Sequence, residues 1–162
     1  MNIIYNIKKY NKLYINIYTD GSSKGNPGPG GCGIIIISNF FYKEFSYGFR
    51  YTTNNRMELY SIIYAIKNIN NYLIFNINLF SDSKYVIDNI NNNRIKKWEK
   101  KKFKNIKNND LWIKFLKIKQ NINFFWIKGH NKNFYNEKCN ILAQKAINKN
   151  NILIDYYYEN NK

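Results

Sequence analysis

The chain has 162 residues, with 26 Lys+Arg against 10 Asp+Glu and a net charge of +16. That length suits one domain with its own core, and 44% hydrophobic with 18% aromatic residues argues against disorder. The longest aliphatic run, Ile34–Ile37, falls far short of the roughly 18 residues of a membrane span.

Leu13, Ile15 and Ile17 alternate with Tyr14, Asn16 and Tyr18, predicting a first strand that ends at Asp20. Gly21 to Gly33 holds both prolines and six of the eight glycines and reads as a tight connection. Cys32–Ser38 and Glu44–Tyr51 follow as two strands of an antiparallel meander. Leu59, Ile62, Ile63, Ile66 and Ile69 stand at helical spacing, predicting a helix over Asn55–Ile69 capped by Asn54 or Asn55. A strand is expected at Ile77–Ser81, a helix at Ser83–Ile90, a helix from Asp110 to Lys119 and a strand at Asn123–Lys128. A last helix, Asn136–Ile147, would bury Cys139, Leu142, Ala143 and Ala146. The tail from Asn148 is expected to be partly ordered at most. Strands followed by alternating helices and strands give the α/β class, a mixed sheet flanked by helices. The N-terminus lacks the apolar core of a signal peptide, and Cys32 and Cys139 form no disulfide framework. A cytoplasmic protein with no membrane partner, acting as a monomer, is expected.

The positive charge has two sources. Of the 26 basic residues 23 are Lys, and the chain holds 31 Asn and 27 Ile; all three have A/T-rich codons, so base composition alone can enrich lysine. Its distribution is more telling: Arg94 to Lys107 carries eight basic residues and one acid, Glu99, with Trp98 and Phe103 interleaved. Such a segment grips a phosphate backbone by charge while its aromatics pack or stack, or it is a basic helix whose aromatics face the core.

The acids are few enough for position to matter. Asp20, in YTDGSSKGNPGPGG, and Asp82, in FSDSKYV, each close a predicted strand, and ligands of α/β sheets bind outside the carboxyl ends of strands. Glu58 lies in the first turn of the Asn55–Ile69 helix. Three convergent carboxylates are costly unless a cation joins them, and hard oxygen donors suit Mg²⁺ or Mn²⁺. Singly, each acid reads as a turn or cap residue. GNPGPGG lacks the GK[ST] ending of a phosphate loop, and one histidine, His130, excludes two-histidine zinc sites. Arg56, one of three arginines, either pins the helix start or meets a phosphate.

TDGSSKGNPGPGGCG, TTNNRMEL, SDSKYV, NNDLW and WIKGHNKNFYNEKCN, in that order, resemble type 1 ribonuclease H of the bacterial kind. The resemblance implies the ribonuclease H-like fold: a five-stranded mixed sheet, antiparallel meander plus parallel strands, flanked by helices. The domain would span 13–148 with a basic protrusion at 94–107, between an N-terminal segment 1–12 and a tail 149–162. The implied activity is cleavage of the RNA strand of RNA/DNA hybrids with two divalent metals, leaving 3′-hydroxyl and 5′-phosphate ends. Carried over by motif, Asp20, Glu58 and Asp82 are metal ligands, and His130 assists proton transfer or product release. Asn26 and Asn54 contact the minor groove, Thr53 a DNA phosphate, and Lys100, Lys101 and Lys102 the substrate backbone. One position departs: NEKCN supplies Asn140 where the family has a fourth metal-binding carboxylate. An amide oxygen still coordinates a hard cation but brings no charge, and Glu137, about 60° around the same helix, is a poor substitute. A hybrid-binding protein with little or no turnover is therefore the rival reading.

Overall fold

The computed structural model describes residues 14–69, 76–118, 121–129, 131 and 133–161. Alternation builds the first strand as expected: in β1 (Tyr14–Ser23) Ile15 and Ile17 are fully buried while their neighbours are not. It pairs antiparallel with β2 (Gly28–Ile37), which pairs antiparallel with β3 (Tyr42–Thr52). On the other side of β1 run β4 (Asn76–Ser81) and β5 (Ile122–Trp126), both parallel to their neighbours. Helices connect the rest: α1 (Asn54–Lys67), α2 (Lys84–Asn91), α3 (Arg94–Lys100), α4 (Asn109–Ile118) and α5 (Phe134–Ala146). The tail adds β6 (Ile152–Leu153) and α6 (Tyr156–Asn160).

The mixed sheet matches the expectation, with one correction. Among the described residues the sheet has six strands, in the order β5-β4-β1-β2-β3-β6, because Ile152 and Leu153 pair in parallel with Gly48 and Phe49 at the edge of β3. A two-residue strand leaves no alternation to read.

A second difference lies at the glycine cluster. β1 does not end at Asp20 but runs on to Ser23, pairing Asp20 with Gly33 and Ser22 with Gly31. β2 likewise begins at Gly28, not Cys32. Only Gly25, at φ 85 in the bend between the strands, serves turning; elsewhere the glycines allow close approach, since a Cβ at Gly33 would strike the Cys139 carbonyl of α5 and one at Gly21 the Glu58 backbone of α1. What ends near Asp20 is the parallel ladder to β4, whose last pair is Thr19 with Ser81.

The core lies between the sheet and α1, α2 and α4, with Met57, Leu59, Ile62 and Ile66 of α1 and Trp112 and Phe115 of α4 fully buried. On the opposite face α5 lies over β1, β2 and β3. Cys32 and Cys139 are free and buried, their thiols donating to the carbonyls of Met57 and Tyr18. Among the described residues no helix is long and apolar enough to cross a membrane.

Candidate active site

Three elements deliver the site. β1 and β4 part after Thr19 and Ser81, so Asp20 and Asp82 stand side by side at the first positions beyond their ladder. Gly21 admits the start of α1, which brings Glu58 against them. One ligand oxygen from each of Asp20, Glu58 and Asp82 lies within 4.8 Å of the others. Asp20 and Glu58 are buried, and Asp82 is partly so.

Burial decides the electrostatics. Desolvation, followed by the Asp82 charge, pushes Asp20 up to about 7, with the Gly21 backbone pulling the other way. Desolvation and then Asp20 raise Glu58 well above the carboxylate range. Among the described residues, none gives the buried Glu58 Oε2 a hydrogen bond. Buried carboxylates that repel one another, with an oxygen left unsatisfied, are what a divalent cation corrects. The three residues fit a hard cation.

Around them the cleft is lined by Ser22, Asn54, Asn136, Glu137, Asn140 and Gln144. Asn140 shares this lining with the carboxylates, and its Oδ1 accepts from Gln144 Nε2 at 3.0 Å, one helical turn on. Glu137 shares the lining, and its charge adds to the rise of Asp20. Asn136 is a contributor that sequence reading overlooked. It is 3% exposed and donates from Nδ2 to Asp82 Oδ2 at 3.0 Å. Its signal was available, since residues four apart share one helix face and Asn136 precedes Asn140 by four. The loop after β5 closes in too: Trp126 Nε1 donates to the Asp82 carbonyl, and a Cβ on Gly129 would come within 2.7 Å of Asp82 Oδ2. His130 lies outside the described residues.

Thr53, not an asparagine, is the N-cap of α1, in extended conformation and without a side-chain cap bond. Asn26 and Thr53 line a concavity beside the cleft with Lys107 and Asn108. Asn26 Oδ1 accepts from the Asn54 backbone N–H at 3.1 Å, fixing the two loops together. Arg56 borders the same concavity, but its guanidinium is engaged inside the protein. It is 1% exposed, bonded to Asp110 and Asp155, so it pins the helix start.

The basic segment resolves into helix α3 and a chain of turns. Ile95 and Phe103 are buried and Trp98 packs edge-on against Trp112, while Lys100, Lys101 and Lys102 are exposed. Lys102 and Phe103 adopt left-handed backbone, φ 50 and 54, which turns the phenyl ring inward and leaves the lysines outside. The aromatics anchor the segment; the charge faces solvent.

A family model described as RNase H matches residues 12–148. This chain belongs to the ribonuclease H family. The ribonuclease H of Trichodesmium erythraeum is 42% identical over 152 residues, covering 90% of this chain and 96% of that one. The ribonuclease HI of Helicobacter pylori is 44% identical, covering 83% and 94%. Among solved structures, LC9-RNase H1, a type 1 RNase H with the type 2 active-site motif, superposes with a TM-score of 0.76 at 27% identity, covering 84% of this chain and 72% of the other. LC11-RNase H1 in complex with RNA/DNA hybrid matches with a TM-score of 0.64 at 27% identity, over 82% and 96%. This ribonuclease H is accordingly an endoribonuclease, and its clustered carboxylates form an acidic site of the kind that takes a divalent metal.

Proposed function

We propose that this ribonuclease H cuts the RNA strand of RNA/DNA hybrids in a reaction that uses two divalent cations, leaving 3′-hydroxyl and 5′-phosphate ends. The observation that carries the reading is the convergence of Asp20, Glu58 and Asp82 within 4.8 Å. A relative of the same fold is known in complex with RNA/DNA hybrid, and the +16 charge suits a polyanionic substrate.

Asp20, Glu58, Asp82 and Asn140 would be the protein donors that hold the cations. Mg²⁺ is the expected metal and Mn²⁺ its substitute, since all four offer hard oxygens. When bound, such a pair supplies an activated water and stabilises the charge on the leaving oxygen. The chain's own residues do the positioning. Asn136 holds the Asp82 carboxylate through Oδ2. Glu58, with Asn26 and Asn54, meets the ribose and minor groove, where the 2′-hydroxyl separates RNA from DNA. Thr53 takes a DNA phosphate at the start of α1, where the positive end of the helix favours anions. The lysines at 100–102 hold the duplex backbone, and His130 would assist proton transfer or product release. We infer that the enzyme acts as a monomer in the cytoplasm, without a membrane partner.

The test is cleavage of end-labelled hybrid, duplex RNA and duplex DNA with Mg²⁺ or EDTA, beside Asp20→Asn. Cutting confined to the hybrid's RNA strand and abolished by EDTA and by Asp20→Asn is expected. Cutting that survives EDTA, or shows no preference for that strand, refutes the reading. Tight, salt-sensitive binding with no more turnover than Asp20→Asn would establish the rival, a binder whose catalysis is lost because Asn140 is neutral.

A further inference from the structure

Among the described residues, the part of the sheet face on β1, β4 and β5 that α5 leaves uncovered carries two ordered rows of side chains that the cleavage site does not use. Across the register Tyr18–Phe80–Phe125 the rings stack, with centroids 5.0 and 5.2 Å apart and planes within 20°. Tyr135 of α5 packs on the far side of Tyr18 at 4.9 Å. One step down the same strands, Asn16, Asn78 and Asn123 form a second row, with Asn78 Nδ2 donating to Asn16 Oδ1 at 3.1 Å and Asn123 Nδ2 to Asn78 Oδ1 at 3.2 Å. Strand neighbours lie about 4.8 Å apart, so such rows form only where like residues fall in register on three strands.

The ring row has one closed end and one open end. Tyr135 closes it at α5, while Phe125, on edge strand β5, is 44% exposed. Two residues earlier on β5, Asn123 is exposed at the end of the amide row. A side-chain amide has two donors and an acceptor with two lone pairs, and the row spends one donor and one acceptor position on Asn123's neighbour at most. An exposed ring face with an amide beside it matches a nucleobase, which stacks through its π-face and hydrogen-bonds at its edge. No carboxylate interrupts the rows; the next residue on that face of β1 is Asp20, and Asp82 directly follows the end of β4. The platform is thus continuous with the cleavage site, in a chain of charge +16.

We propose that this uncovered sheet face is a stacking platform for single-stranded RNA leading to or from the carboxylates, with Phe125 and Asn123 engaging the first base. Naming RNA rests on the proposed activity, because the strand that reaches Asp20 there is RNA; the platform itself does not depend on it.

The experiment measures anisotropy of a fluorescein-labelled uridine 12-mer with the full chain in EDTA, using wild type, Phe125→Leu, Phe125→Trp, Asn123→Ala and the Lys100/Lys101/Lys102→Ala variant. Phe125→Leu is expected to weaken binding at least about fivefold, the loss of one base–aromatic stack, with Phe125→Trp restoring it and Asn123→Ala weakening it. Cleavage of a blunt hybrid by Phe125→Leu should stay at the wild-type rate. Equal affinity of wild type and Phe125→Leu, or a loss seen only in the lysine variant, overturns the platform. Equal Phe125-dependent binding of the deoxy 12-mer overturns the assignment to RNA. Self-association of the chain through this face, abolished by Phe125→Leu with RNA affinity unchanged, also overturns it. Failure of hybrid cleavage in the wild type with Phe125-dependent binding intact would refute the proposed activity and leave the platform standing.

Discussion

Asp20 is held in a state that water would not allow. It keeps its proton up to about pH 7 in the fold, against about 4 in an unfolded chain. Between those values the folded protein binds the extra proton, so stability falls as pH rises through the window and levels off above it. In EDTA the urea midpoint should therefore drop between pH 5 and pH 8, and saturating Mg²⁺ should recover more at pH 8, where the Asp20 carboxylate is free to ligate. A midpoint independent of pH would contradict this account of the site. Asn140 acts at the same scale. Asn140→Asp adds the missing charge beside the triad, and we expect a lower Mg²⁺ concentration for half-maximal cleavage, read from a metal titration of rate. The Gln144 hydrogen bond to Asn140 Oδ1 draws on the same oxygen, so Gln144→Ala should shift that titration in the same direction by less.

Elements place these residues, and glycines decide how closely. α5 carries Asn136, Glu137 and Asn140, and it can lie on β2 only because Gly33 has no side chain to meet the Cys139 carbonyl. Gly33→Val should cost about 2–3 kcal/mol in urea unfolding, as overpacking at a rigid contact does, and should lower cleavage by displacing Asn136 from Asp82. The basic segment is an element of a different kind. Its aromatics anchor it to Trp112 and its lysines face water. Replacing Lys100, Lys101 and Lys102 by Ala should weaken hybrid binding and reduce the slope of log K against log salt by roughly two to three. An unchanged slope would mean that the segment touches no phosphate. Composition located this segment; it could not tell packed aromatics from stacking ones, because both look alike in one dimension.

At the scale of the molecule, the chain's end ties its middle together. Asp155, fully buried, accepts from Arg56 Nε at 2.6 Å and Nη2 at 2.8 Å and from Thr52 Oγ1 at 2.8 Å, while Asp110 takes the other side of the same guanidinium. The two carboxylates hold Arg56 far up its range against the desolvation that lowers it. Removing one partner leaves a buried charge poorly compensated, so Asp155→Ala should destabilise by about 3–5 kcal/mol in denaturant unfolding. A loss under 1 kcal/mol would show that the tail contributes little to the fold.

Short-range pattern was enough for most elements, since period-two and period-3.6 hydrophobic spacing survives in the linear chain, and for the three carboxylates, because ten acids among 162 residues leave little to confuse them. It was not enough where meaning depends on what lies opposite. Gly21 to Gly33 read as a tight connection because a glycine in a packed strand and a glycine in a loop look the same until α1 and α5 are set upon the sheet. The sixth strand and the Arg56–Asp155 pair join residues about a hundred positions apart. Asn16, Asn78 and Asn123 are three among 31 asparagines until strand register lines them up. The sequence by itself determined the strand and helix pattern, the family and the acids that define the site. The burial that strains those acids, and the order of the uncovered sheet face, came only from the tertiary structure, because desolvation and register are properties of neighbours in space.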